Sequence, residues 1–148
     1  MLAAGSATLE SDGAITATRI PTTSFEIEQI PLLGEISIVL VVHAQAGGDY
    51  DPQFYVVCKN PAGVRCGTLE ATWHWPDEGD RPSKYRCFSE QLSLSIESEG
   101  EYTIGVYYDA DGNIEMSTPI PVSISLLEAK SAATNGGSHE QSAQLGGV

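Results

Sequence analysis

The stretch Ile36–Val42 constrains this chain more than any other, because six of its seven residues are apolar and five of those are β-branched Ile or Val. Such side chains are stiff and favour a pleated strand over a helix. Gly34 precedes the stretch and Gly47-Gly48 follows it, which leaves little room for a helix. The run therefore predicts a strand buried on both faces, at the centre of a sheet with a second layer over it.

Shorter segments around this strand alternate apolar and polar residues, which is typical of strands with one face in the core. Turn residues separate them, and no helical period of useful length occurs before residue 127. The pattern predicts an all-β domain over residues 1–127, a single antiparallel β-sandwich. The predicted strands are Ala3–Leu9 and Ala14–Ile20 (paired as a hairpin), Ser24–Ile30, Glu35–Gln45, Phe54–Lys59, Val64–Trp75, Tyr85–Phe88, Gln91–Glu97, Glu101–Tyr108, Ile114–Met116 and Pro121–Leu127.

The hairpin after Phe54–Lys59 leaves the placement of two cysteines open. Its turn, Asn60–Gly63, has the Pro and Gly positions of a type I turn. A two-residue loop would put the sulfurs of Cys58 and Cys66 on opposite faces, whereas a three-residue loop would bring them together. Gly67 lies where the apolar set changes phase, which predicts a β-bulge. The simplest interpretation of both cysteines is buried thiols.

The last segment, residues 128–148, differs in composition from the rest. It consists mainly of Ala, Ser, Gly, Gln and Asn, and its only large apolar residues are Leu145 and Val148. Such a segment cannot bury enough surface to offset the entropy lost on ordering. We expect a disordered C-terminal tail.

The charge is strongly acidic, with 20 Asp and Glu against 7 Lys and Arg and a net charge of −13. Because no Lys or Arg cluster is available to contact phosphates, nucleic acid and anionic membranes are poor partners. An acidic surface serves either solubility or the attraction of a basic protein.

The sequence predicts a cytoplasmic protein. It has three cysteines, no apolar run of ~20 residues and no secretory signal at Met1–Gly5. The oligomeric state is left open.

The segment Gly100–Val106, Gly-Glu-Tyr-Thr-Ile-Gly-Val, resembles the penultimate strand of immunoglobulin-like and fibronectin-like sandwiches, in which a Tyr near the strand start ties down a corner. Together with the small residues of Ala3–Ala7, the central apolar strand and Phe54–Gly63, it resembles an uncharacterised family of small bacterial β-sandwich proteins. The resemblance covers residues 1–127. It implies a broadly immunoglobulin-like fold and carries no activity, cofactor or site residue.

A metal site has one weak candidate, the acidic turn that begins at Asp109. Asp109, Asp111, Asn113 and Glu115 offer oxygen ligands at alternate positions. A calcium loop of the EF-hand type needs Gly at its sixth position, whereas Gly112 is fourth here. A hairpin tip rich in Asp, Gly and Asn is also what turn chemistry requires. We expect a plain turn, and no cofactor.

The segment Trp73-His74-Trp75 is the best candidate for a binding surface. Alternation places both indoles on the face of Leu69 and Ala71, which favours the core and predicts that Trp75 is the more exposed. If that face is exposed instead, the indoles form a platform for a protein or a sugar, next to the carboxylates of Asp77, Glu78 and Asp80.

Because no nucleophile–histidine or phosphate-loop motif accompanies these residues, we expect no enzyme. The leading hypothesis is a non-enzymatic acidic interaction module. The alternatives are a structural component of a virus particle or other assembly, and a carbohydrate-binding module using Trp73 and Trp75.

Overall fold

The computed structural model describes residues 1–45, 48–77, 79 and 83–127, and the regular elements in these ranges are all β-strands. No helix in these ranges has the length and hydropathy needed to cross a bilayer. The predicted tail, residues 128–148, lies outside the described residues. The strands are β1 (Leu2–Ala4), β2 (Ser6–Leu9), β3 (Ile15–Thr18), β4 (Ser24–Ile27), β5 (Leu32–Gln45), β6 (Gln53–Lys59), β7 (Arg65–Thr72), β8 (Ser83–Ile96), β9 (Gly100–Tyr107) and β10 (Ile120–Leu126).

Two sheets pack face to face, so the prediction of an all-β sandwich is confirmed. One sheet has the order β1-β5-β8, the other has the order β4-β10-β9-β6-β7, and β2 and β3 form a separate hairpin. Strand pairing is antiparallel except between β4 and β10, which run parallel. Parallel neighbours need a long connection between them, and most of the domain separates these two strands. The sandwich is thus antiparallel, as predicted, with this one parallel pair at the edge of the five-stranded sheet.

One hydrophobic core fills the space between the sheets, and alternate residues of the strands in these two sheets supply it. From the three-stranded sheet the core receives Ala3, Ile36, Ile38, Leu40, Phe88, Leu92, Leu94 and Ile96. From the five-stranded sheet and the segment after β7 it receives Phe54, Val56, Cys58, Ala71, Trp73, Trp75, Tyr102, Ile104, Val106, Val122 and Ile124.

The central strand β5 lies between β1 and β8, as its apolar run predicts. Burial on both faces holds from Ile36 to Leu40 but fails at Val41, which is 60% exposed. Strand β1 pairs with β5 only up to Val39. Beyond that level β5 has lost one neighbour, so the side chain of Val41 faces solvent.

Three predicted segmentations differ from the structure. Ile114–Met116 is not a strand, and it pairs with β9 only through the single backbone bridge between Glu115 and Tyr107. The segments Tyr85–Phe88 and Gln91–Glu97 are one strand, β8, which pairs with β5 over its whole length. Glu90 lies in register with the apolar set of β8, but it is exposed and the strand continues through it. At the N-terminus, β1 leaves the predicted hairpin and pairs with β5, because its alanines fit the core at Ala3 and Ala4.

The β6–β7 hairpin has the three-residue loop and also a bulge. The Asn60 N–H donates to the Val64 carbonyl at 2.8 Å, and the Gly63 N–H closes the turn onto the Asn60 carbonyl at 2.8 Å. Gly63 has a φ of 77°, the left-handed conformation that ends such loops. Lys59 pairs with Arg65 and Cys58 with Gly67, so Cys66 is the extra residue of the predicted bulge.

The corner before β9 is tied down by the tyrosine that the resemblance singled out. The Tyr102 side chain is fully buried, and its hydroxyl donates to the Ser98 carbonyl at 2.8 Å. This is the arrangement of a tyrosine corner.

Candidate functional site

Trp73 and Trp75 belong to a cluster of aromatic rings at one end of the sandwich. The Trp73 ring lies 5.5 Å from Phe54, 5.1 Å from Phe88 and 5.5 Å from Trp75, each contact edge-on. Tyr50 extends the cluster toward solvent, with its ring 5.8 Å from Trp75. Edge-on contacts of this kind stabilise a fixed arrangement of rings. The cluster is a rigid base for the loops above it.

The burial of the two indoles bears out the core interpretation. Trp73 and Trp75 are each 7% exposed, so the expectation that Trp75 is the more exposed of the two is wrong. A backbone bridge between Tyr50 and Trp75 fixes the position of the segment that carries the second indole. A sugar platform needs an open ring face, and neither indole presents one.

His74 points away from the core, as alternation predicts, and lies between two carboxylates. Its Nδ1 is 2.8 Å from an oxygen of Asp51, and its Nε2 is 3.2 Å from an oxygen of Asp49. All three side chains are exposed: 60% for His74, 65% for Asp49 and 79% for Asp51. The hydrogen bond at Nδ1 orients the ring, the Nε2 atom lies near Asp49, and both carboxylates remain exposed to solvent.

The loop between β5 and β6 brings these carboxylates to His74. Backbone hydrogen bonds tie Tyr50 to Trp75 in both directions, at 3.2 and 2.9 Å. This bridge places the residues before and after Tyr50 on either side of His74. We call Asp49, Tyr50, Asp51 and His74 the His74 surface.

Sequence reasoning identified only one member of the His74 surface. Tyr50 lies between two predicted strands in a segment that includes Gly48 and Pro52, so the sequence predicts only a connection there. The carboxylates expected beside the tryptophans were those that follow them in sequence. Of these, Asp77 is exposed, and Glu78 and Asp80 lie outside the described residues. The only signal for the observed partners was the spacing Asp-Tyr-Asp, which puts two carboxylates on one side of a strand.

The residues proposed for metal binding form a turn instead of converging as ligands. The Asp109 carboxylate accepts N–H hydrogen bonds from Asp111, Asn113 and Ile114, at 2.7 to 3.1 Å. These hydrogen bonds, above all the one from Asn113, lower the pKa of Asp109. Asp111 forms an ion pair with Arg65 at 2.9 Å. Glu115 follows the turn, and its backbone forms a β-bridge with Tyr107.

Within the described ranges no group of three or more His, Cys, Asp or Glu side chains is arranged to hold a metal ion. The contacts of His74 with Asp49 and Asp51 form an exposed cluster of charged and hydrogen-bonding groups. Its chemistry suits the recognition of a cation.

Comparisons of the chain with protein-family models, curated proteins and solved structures found no match. The resemblance to a bacterial β-sandwich family therefore stays a prediction.

Proposed function

We propose that the chain is a non-enzymatic, acidic interaction module that binds a basic segment of another protein at the His74 surface. The observation that carries the proposal is the position of two exposed carboxylates at fixed places on either side of His74. A binding group that is already oriented loses less entropy when a partner arrives. Tyr50, 41% exposed, adds an amphipathic ring of the kind enriched at protein interfaces.

The charge of the whole chain supports a basic partner. A net charge of −13 attracts a cationic segment from a distance and raises the association rate at low salt. Arginine is the best-suited residue, because its planar guanidinium can donate two hydrogen bonds to one carboxylate. The three free cysteines agree with a reducing compartment, and we place the module in the cytoplasm.

An amide-detected NMR titration with an oligo-arginine peptide tests the location of the surface. We expect shifts concentrated at residues 48–51 and 74–77. The double variant Asp49→Asn/Asp51→Asn should weaken binding about fivefold, because two exposed charge pairs contribute about 1 kcal/mol in total.

The matched control is Glu26→Gln/Glu28→Gln, which removes the same number of charges from β4 and the residue that follows it. It should change the affinity less than twofold, because it lowers only the net charge of the protein and salt screens charges that do not contact the peptide. Equal losses in both double variants, or shifts spread over all acidic residues, would show that the peptide responds to net charge and that the His74 surface is not a site.

A further inference from the structure

Cys58 and Cys66 meet at the bulge in the β6–β7 hairpin. Cys66 is the extra residue there, and it shares a partner position with Gly67 opposite Cys58. Cys58 belongs to the hydrophobic core and Cys66 packs against that core, so both side chains lie on the core side of the hairpin. The Cys66 thiol donates to the Cys58 carbonyl oxygen at 3.5 Å, which places the Cys66 sulfur against the backbone of Cys58. Both are free.

We propose that Cys58 and Cys66 are a redox pair that closes to an intramolecular disulfide when hydrogen peroxide oxidises Cys66. This modification site is independent of the His74 surface. It uses a contact that a regular two-residue hairpin loop would not have produced, since that register separates the two sulfurs onto opposite faces.

The two thiols differ in a way that assigns their roles. Cys66 is half-buried and so can be reached from solvent, whereas Cys58 is fully buried. The hydrogen bond from the Cys58 thiol lowers the pKa of Cys66, while burial and the charge of Glu97 act in the opposite direction. The same hydrogen bond, together with burial, raises the pKa of Cys58. Cys66 is thus the thiolate that attacks, and Cys58 the thiol that resolves.

The reaction has two steps and needs only peroxide. The Cys66 thiolate attacks one peroxide oxygen, the O–O bond breaks, and the leaving hydroxide takes up a proton to become water, which leaves a sulfenic acid. The Cys58 sulfur then attacks the Cys66 sulfur and the S–O bond breaks. The displaced hydroxide takes the Cys58 proton and leaves as a second water. In total, two thiols and one peroxide give one disulfide and two waters.

The packing around the bulge keeps the two sulfur atoms close together and so favours formation of the disulfide. Gly67 has no side chain between them, and a Cβ there would lie 2.5 Å from the Ser93 carbonyl oxygen on β8. The backbone of β7 is therefore pressed against β8 at the bulge, and Cys66 cannot swing far from Cys58. A sulfenic acid at Cys66 stays beside its resolving thiol.

The test is peroxide treatment of the full folded chain, followed by unfolding, thiol counting and peptide mapping. Lys59, Arg65 and Arg86 put the three cysteines on three different tryptic peptides, so each linkage is unambiguous. We expect the count to fall from three thiols to one, with the Cys58 and Cys66 peptides joined. Dithiothreitol should restore all three.

The control variant is Cys87→Ser, since Cys87 lies on β8 opposite Val41 and takes no part in the pair. It should lose both remaining thiols to the same disulfide. Cys66→Ala should keep the thiols of Cys58 and Cys87 under the same treatment. Three outcomes would overturn the proposal: three thiols that survive peroxide, Cys66 driven to sulfinic or sulfonic acid beside reduced Cys58, or linkage through Cys87.

Discussion

Trp73 provides the sharpest test of how the aromatic base below the His74 surface is built. Its ring is buried among Phe54, Phe88 and Trp75. Its Nε1–H is also buried and has no hydrogen-bond partner among the described residues. Burial of the ring stabilises the native protein, whereas the unpaired N–H destabilises it. Replacement of Trp73 by a small residue and by a smaller aromatic residue separates the two contributions.

Trp73→Ala removes the whole ring and should lower the free energy of unfolding by about 3–5 kcal/mol, the usual cost of deleting a large core side chain. Trp73→Phe removes about three ring atoms, a loss of about 2 kcal/mol at ~0.8 kcal/mol per buried carbon. It also removes the unpaired N–H, which costs the native protein about 1–3 kcal/mol. The two effects nearly cancel, and we expect Trp73→Phe to lie within about 1 kcal/mol of the wild type.

Urea unfolding followed by far-ultraviolet circular dichroism measures both changes without relying on tryptophan emission. Trp75→Phe is the matched control, because among the described buried side chains only Trp73 carries an unpartnered nitrogen. The control should therefore cost about 2 kcal/mol with no compensation. If Trp73→Phe is as destabilising as Trp75→Phe, the Trp73 N–H is paired in solution and the reasoning is refuted.

Two further predictions concern the corner and the acidic turn. Tyr102→Phe should lower the free energy of unfolding by about 1 kcal/mol in the same assay, because the hydrogen bond from the buried Tyr102 hydroxyl to the Ser98 carbonyl is lost; exposed Tyr108→Phe is the control, and an equal effect there contradicts the corner. Asp109→Ala should lower the Tm near neutral pH. Because the pKa of Asp109 is lowered by folding, its contribution is present above the ordinary value of 3.8 and is lost as the pH falls through the folded value. Thermal melts should therefore show the Tm difference between wild type and Asp109→Ala shrinking in acid, and a constant difference would contradict this role.

Much of the fold follows from local pattern. The period of two between Leu69 and Trp75 identified the buried face correctly, since alternation of side chains along a strand needs no knowledge of its neighbours. The turn at Asp109 was predictable from local turn chemistry, and the corner at Tyr102 was implied by the resemblance to immunoglobulin-like sandwiches. In each, a side chain bonds to backbone within five residues of itself.

Features that depend on pairing between distant segments were decided only by the tertiary structure. Strand β8 runs through Glu90 because β5 supplies a partner along its whole length. Val41 is exposed because β1 ends before reaching it. A local pattern cannot report either fact, since both depend on where another strand stops.

The two sites proposed here show the same division. Alternation along the strand predicts that His74 faces away from the indoles, and the turn sequence predicts that Cys58 and Cys66 meet only if the loop has three residues. Which loop forms, and which carboxylates reach His74, depended on contacts across the fold, because Asp51 is 23 residues from His74 along the chain. Alternation follows from the geometry of one strand, whereas register and convergence follow from the packing of all of them.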